Sequence, residues 1–148
     1  HPVTEQRCNV DLIKEMILHA CGNKMRFSQK NIEFFGHVME FRINAEDPKT
    51  SMPSPGLITH YHRPGGLGIR VDDYIYTGYK VPPYYDSMIS KIIVSGVDRE
   101  ECITRAKRAL SETVVGGIKT NISLHNFILD DSDFRENTYD TGFLAKKC

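Results

Sequence analysis

In the run Glu40-Phe41-Arg42-Ile43-Asn44-Ala45-Glu46-Asp47-Pro48, alternation places a guanidinium and a carboxylate on one side of an extended segment. Read with period two, Met39, Phe41 and Ile43 form an apolar side, and Glu40, Arg42 and Asn44 form the other. A half-buried strand ordinarily gives such a polar side to water. Arginine adds a chemical option. It stays protonated at any working pH and offers a rigid fork of donors, suited to an anion or to negative charge that develops during a reaction. Glu40, two residues earlier on the same side, is placed either to hold the Arg42 head or to form an exposed ion pair with it.

Four other groups of residues could do chemistry. Asp86 follows Pro82-Pro83-Tyr84-Tyr85, so its carboxylate sits on a stiff loop. His60 and His62 alternate onto one strand side, but two imidazoles without a third ligand make a poor zinc site, and surface histidines are the better reading. Asp130-Asp131-Ser132-Asp133 has the composition of a calcium loop without its Gly or distal Glu, and reads as a solvated loop. Pro64-Gly65-Gly66-Leu67-Gly68 lacks the Lys-Ser/Thr of a phosphate loop and is expected to be a tight β connection.

These groups need elements to position them. Val10 to Cys21 has a helical period with Leu12, Met16, Ile17 and Ala20 on one face, capped by Asn9 or Asp11 and closed by Gly22. From Gly36 to Gly96 the signals are mainly β. His37–Ile43, Gly56–Arg63, Gly68–Val71, Tyr74–Tyr76 and Met88–Ser95 read as strands, and the prolines mark loops and edges. Asp98 to Thr113 reads as a helix with an Asp98/Glu101 capping pattern. Ile103, Ala106, Ala109 and Leu110 form its stripe, and Arg99, Arg105, Lys107 and Arg108 face solvent. Val114-Val115 is a short β run. Thr120 caps a helix through Leu129 with Leu124, Phe127 and Ile128 clustered, and Thr141 to Lys147 forms at most a helical turn.

Composition excludes several classes. The 148 residues suffice for one core and fall short of a complete two-substrate ligase with its own nucleotide fold. Lys and Arg total 19 and Asp and Glu total 19, so no general charge favours nucleic acid or an anionic membrane. No apolar run is long enough to span a bilayer, and His1-Pro2-Val3-Thr4-Glu5 has no signal-peptide character. The four cysteines are scattered, which suits a reducing compartment and buried thiols, although spacing alone allows a Cys8–Cys21 bridge.

Met52-Pro53-Ser54-Pro55-Gly56, Pro64-Gly65-Gly66-Leu67-Gly68 and Val81-Pro82-Pro83-Tyr84-Tyr85-Asp86-Ser87-Met88 follow the Glu40–Pro48 strand in fixed order. Together they resemble the C-terminal domain of biotin carboxylase, the ATP-dependent component of biotin-dependent carboxylases such as bacterial acetyl-CoA carboxylase. The similarity runs from His1 to Phe143. It implies an α+β fold over residues 35–148, a mixed, largely antiparallel sheet with flanking helices, preceded at 1–34 by the tail of an ATP-grasp domain. It implies a cytoplasmic ligase that carboxylates the ureido nitrogen of biotin on biotin carboxyl carrier protein, using ATP, Mg and bicarbonate, as a step of acetyl-CoA carboxylation in fatty acid synthesis. In the family, ATP and bicarbonate form carboxyphosphate, whose breakdown gives the CO2 that deprotonated biotin attacks.

By resemblance, Arg42 matches the arginine of the Arg-Ile-x-Ala-Glu-Asp motif that contacts biotin and bicarbonate, and is the expected catalytic residue. Glu40 and Asp86 are expected to support it, Asp86 by anchoring the domain through an arginine of the preceding domain. Leu67 and Arg70 match the homodimer surface, where an aromatic is usual in place of Leu67. Thr141 falls at an adenine contact that is usually apolar. The family's glycine loop, nucleotide-binding lysines, magnesium-binding glutamates and Asn-x-Arg-x-Gln-Val-Glu strand do not occur in this sequence. The chain therefore reads as part of a longer protein, inactive alone and holding no biotin, ATP, Mg or other metal by itself. The implied partners are the missing N-terminal and ATP-grasp part, a second copy, the carrier protein and carboxyltransferase. The alternatives are a non-catalytic dimerisation module, the equivalent domain of another acyl-CoA carboxylase, and a small metal-binding domain using His60 and His62.

Overall fold

The computed structural model describes residues 1–147. Its centre is β6 (Met88–Gly96), in which Ile89, Ile92, Ile93 and Val94 are sealed from solvent. A strand apolar on both faces needs cover on both faces. β1 (His37–Asn44) and β4 (Ile69–Asp73) flank it, each antiparallel, in the order β1-β6-β4. On one face Phe41, Ile92 and Val71 form a row, with Ile43 and Ser90 in the next. Each of these apolar side chains contributes roughly 1.5–3 kcal/mol by leaving water. α3 (Arg99–Glu112) covers that face through Cys102, Ile103, Ala106, Ala109 and Leu110, all buried. Its small residues allow close approach, and the Cys102 thiol donates to the Val94 carbonyl at 3.2 Å.

The opposite face carries Glu40, Ile93 and Arg70 in one row and Arg42, Lys91 and Asp72 in the next. α1 (Pro2–Cys8) packs on β1 and β6, and its Glu5 reaches Arg70 at 3.4 Å. This helix is too short for hydrophobic periodicity to announce it; Pro2 at its start, Glu5 in its first turn and Arg7 in its last are its local signs. α2 (Leu12–Ala20) is capped by Asp11, whose carboxylate accepts from Lys14 N at 2.8 Å. Its expected apolar stripe faces outward, with Met16 67% and Ile17 59% exposed, while Glu15 is the buried residue and is held by Arg26. No described element packs over that stripe.

The remaining β structure consists of two small antiparallel ladders, β2 (Gly56–Leu57) with β5 (Lys80–Val81) and β3 (His60–His62) with β7 (Val114–Gly116). The expected single strand over 56–63 is thus divided. The backbone changes partner at Ile58, which bonds Tyr79, and Thr59, which bonds Gly116. Tyr74–Tyr76 alternates as expected, with Ile75 buried between exposed tyrosines, yet it finds no partner strand and turns through Gly78. The connection from β3 to β4 is tight, as expected. Gly68 has φ 76°, and a Cβ there would collide with the Ser95 carbonyl oxygen.

Asp98 caps α3 by accepting from Glu101 N at 2.9 Å, and Glu101 reciprocates one residue early, at Val97 N. Arg99 and Arg105 do not face solvent as expected. Each turns its guanidinium onto a backbone carbonyl, Arg99 to Phe134 and Arg105 to Ser95, both at 2.6 Å. α4 (Ile122–Asp130) begins after Asn121 in place of Thr120 and buries Leu129; of the expected cluster, Leu124 and Ile128 are half-buried and Phe127 is exposed. Asp131 caps α5 (Ser132–Arg135), and Lys147, at the end of α6 (Phe143–Lys147), pairs with Asp131 and Asp133. The expected acidic loop is therefore a helix start neutralised by a lysine.

Candidate functional site

β1 emerges with its predicted division. Phe41 and Ile43 are buried toward α3, and Arg42 projects from the opposite face with its side chain 69% exposed. Glu40 lies beneath it, its side chain only 12% exposed, with Oε1 3.3 Å from Arg42 Nε. The other carboxylate oxygen of Glu40 is buried without a hydrogen-bond partner. A buried, half-satisfied carboxylate beside an exposed guanidinium is an expensive arrangement to keep.

Lys91 stands directly across the ladder from Arg42. Like charges in opposed positions repel. Lys91 has no ion pair among the described residues, and Asp72, the next residue of that row, is held by Arg70 through contacts of 2.9 and 2.8 Å. Those contacts raise the pKa of Arg70 further, so that pair is closed. Arg42 and Lys91 are left as neighbouring cations with little compensation. Beside Lys91, which shares its lining with His1, Asp72, Tyr74 and Met88, lies a hollow of about 190 Å³. The arrangement suits a small anion, or a neutral group that becomes negative, placed between the two positive heads.

The backbone under Arg42 is also held. Asn121 and His125, from the start of α4, both approach the Arg42 carbonyl oxygen, at 3.1 and 2.9 Å. Neither they nor Lys91 stood out in the sequence. Cross-strand register and side-chain contacts to backbone leave no trace in local spacing.

The other anticipated residues lie apart. Asp86 is exposed, and its carboxylate accepts from Met88 N at 2.7 Å, closing the turn into β6; it makes no bond with Arg42. Leu67 is 81% exposed on the β3–β4 connection, whose Gly65 carbonyl is held by Arg108 at 2.8 Å. Arg70 sits in the Asp72 and Glu5 pairs, away from that tip. His60 and His62 share an exposed side of β3, and His62 lies 3.5 Å from Glu112. Among the described residues no group of three or more His, Cys, Asp or Glu is placed to hold a metal, and no helix is long and apolar enough to cross a membrane. Thr141 is exposed just before α6. Cys8, Cys21 and Cys102 are free thiols, so the Cys8–Cys21 bridge is not formed; Cys148 lies outside the described residues.

Known proteins share this pattern. Residues 40–146 match the family described as biotin carboxylase C-terminal domain. The chain is 54% identical over 147 residues to biotin carboxylase of Haemophilus influenzae, covering 99% of this chain and 33% of that one. It is 51% identical over 145 residues to a pyruvate carboxylase subunit from Methanothermobacter thermautotrophicus, covering 97% of this chain and 30% of that one. Among solved structures, the biotin carboxylase domain dimer of Hydrogenobacter thermophilus 2-oxoglutarate carboxylase, in complex with MgADP and bicarbonate, superposes with a TM-score of 0.96 at 44% identity, covering 99% of this chain and 32% of that one. The chain thus spans about one third of the length of the relatives it matches. With its α+β fold, antiparallel ladders and charged β1 face, it belongs to the biotin carboxylase C-terminal domain family.

Proposed function

We propose that this chain is the C-terminal third of an ATP-dependent biotin carboxylase and that Arg42 acts on biotin and bicarbonate at a site completed by the missing two thirds. The observation that carries the reading is the weakly compensated Arg42–Lys91 pair above the half-satisfied Glu40 carboxylate. When the N–H proton of the biotin ureido group leaves, negative charge develops on its oxygen. A guanidinium there stabilises a charge that is small before the transition state. Lys91 adds positive potential, and Glu40 restrains the Arg42 head from below. ATP and Mg supply the activation of bicarbonate, with their ligands in the missing part, and the full-length enzyme brings these to biotin on its carrier protein.

Residues 1–34 form the tail of the ATP-grasp domain and 35–148 the C-terminal domain. The outward stripe of α2, including Ile13, Met16 and Ile17, is where the rest of the ATP-grasp domain packs. Leu67 and Arg70 contribute to a homodimer, and Asp86 holds its turn against an arginine of the preceding domain. Carboxyltransferase completes a cytoplasmic assembly. The Arg-Ile-Asn-Ala-Glu-Asp motif and short connections favour acetyl-CoA as acceptor. The similarity to a pyruvate carboxylase subunit supports a second reading, in which the same domain serves pyruvate.

The test is Arg42→Ala in the full-length enzyme. Biotin carboxylation should fall about a hundredfold or more, by analogy with loss of an oxyanion-hole donor. The fold and dimerisation should hold, and the isolated chain should neither hydrolyse ATP nor carboxylate free biotin. Normal turnover by the variant removes Arg42 from the mechanism.

A further inference from the structure

We infer that Asn121 and His125 are positioning residues that act through the backbone of Arg42, an inference that rests on the proposed role of Arg42. β1 is an edge strand: β6 pairs with one side of it and no strand with the other. On its paired side the ladder is irregular at the same end, with a register shift between Ile43 and Asn44 that leaves Ile89 of β6 as the extra residue. A bulge of this kind disrupts the ladder locally, so with its open edge unpinned the end of β1 beside it would leave the direction of Arg42 loosely set.

The pin is α4. Asn121 stands at its N-cap, where the side chain ordinarily accepts from the first turn, yet it makes no capping bond. It is turned to β1 instead. Its Oδ1 accepts from Asn44 N at 2.9 Å and its Nδ2 donates to the Arg42 carbonyl at 3.1 Å. Its own backbone N–H donates to the Asn44 carbonyl at 3.2 Å. One residue thereby supplies the donors and acceptor that a neighbouring strand would have supplied. Asn121 is 9% exposed, which strengthens these bonds.

His125, one helical turn on, brings Nε2 to 2.9 Å from the same Arg42 carbonyl oxygen. A carbonyl only accepts, so the proton is on Nε2. The ring also stands edge-to-face on Phe41, with centroids 5.5 Å apart. The Arg42 carbonyl therefore receives two donors from α4, while the guanidinium itself has a single 3.3 Å contact with Glu40. The head is weakly held and the backbone firmly held, so the backbone sets where the charge can reach. A local preference, the helix cap, is forgone where Arg42 is placed.

A mutant cycle in the full-length enzyme separates this role from plain structural support. His125→Leu removes the donor and should lower kcat for biotin carboxylation about tenfold, since small misplacements of a catalytic group are costly. His125→Gln keeps an amide donor and should recover most of that loss. In an Arg42→Ala background, His125→Leu should cost nothing further, because its effect passes through Arg42. An equal loss in both backgrounds, or unchanged kcat in the single variant, overturns the inference. If His125→Leu does not fold, Asn121→Asp runs the same cycle, keeping size and Oδ1 while removing the Nδ2 donor. Normal turnover by Arg42→Ala itself would instead defeat the proposed role of Arg42, and this inference with it.

Discussion

Replacing Glu40 with methionine should make the isolated chain more stable and the full-length enzyme less active. The Glu40 side chain is 12% exposed, one carboxylate oxygen is buried without a partner, and the other has only a 3.3 Å contact to an arginine that is 69% exposed. Leaving a buried polar group unsatisfied costs about 1–3 kcal/mol. The contact with Arg42 returns about 1 kcal/mol at most, because the arginine is largely in water. Methionine fills a similar volume without a charge, so the net gain is on the order of 1 kcal/mol, or about 2–4 °C in Tm for a chain of this size. Circular dichroism melts of the isolated 148-residue chain at neutral pH measure it. In the full-length enzyme the same change frees the Arg42 head, and biotin carboxylation should fall between about tenfold and a hundredfold. A lower Tm would show that Glu40 is satisfied in the chain. A higher Tm with unchanged turnover would show that the carboxylate has no functional role.

Two further outcomes follow from burial. His37 and His125 are both held below their ordinary pKa of 6.5, chiefly by burial and, for His37, by Arg99 and Arg7. The unfolded chain then binds more protons as the solution acidifies. The stability tied to neutral imidazoles is present above about pH 6.5 and is lost as pH falls from there through the lower folded values. Wild-type Tm should drop between pH 7 and pH 5, and a His37→Gln/His125→Gln variant should drop less; parallel curves would refute the assignment. The thiols should separate equally clearly. Burial pushes Cys102 up to about 11, and Cys21 is exposed, so iodoacetamide at pH 8 should modify Cys21 and spare Cys102 until the chain unfolds, as read by peptide mapping. Modification of Cys102 in the native chain would contradict the packing of α3 on β6.

The sequence was most legible where a short-range period carries the information. β1 shows its two sides because strand side chains alternate, and α3 shows its stripe because Ile103, Ala106, Ala109 and Leu110 recur at helical spacing. Lys91 was hidden because β6 is apolar on both faces and its register against β1 is a long-range property. Asn121 and His125 were hidden because they bond backbone atoms, which every residue possesses. For α2 the pattern was visible but its meaning was not, since a stripe shows which face is apolar and not what covers it. The run over 56–63 met the limit from the other side. Its β character was real, and only the change of partner at Ile58 and Thr59 divides it.

The closure of β1 by α4 also bears on how the domain assembles during synthesis. Asn121 Oδ1 meets a backbone amide 77 positions earlier in the chain, and His125 a carbonyl 83 positions earlier. At roughly 5–20 residues per second, translation leaves an interval of several seconds between the two. During it the Arg42 stretch has left the ribosome with nothing to seal its outer border, the kind of border that recruits strands from other nascent chains. A ribosome stalled before residue 121 would hold this segment in an adhesive form, and release through α4 would end that state and fix the arginine in a single act.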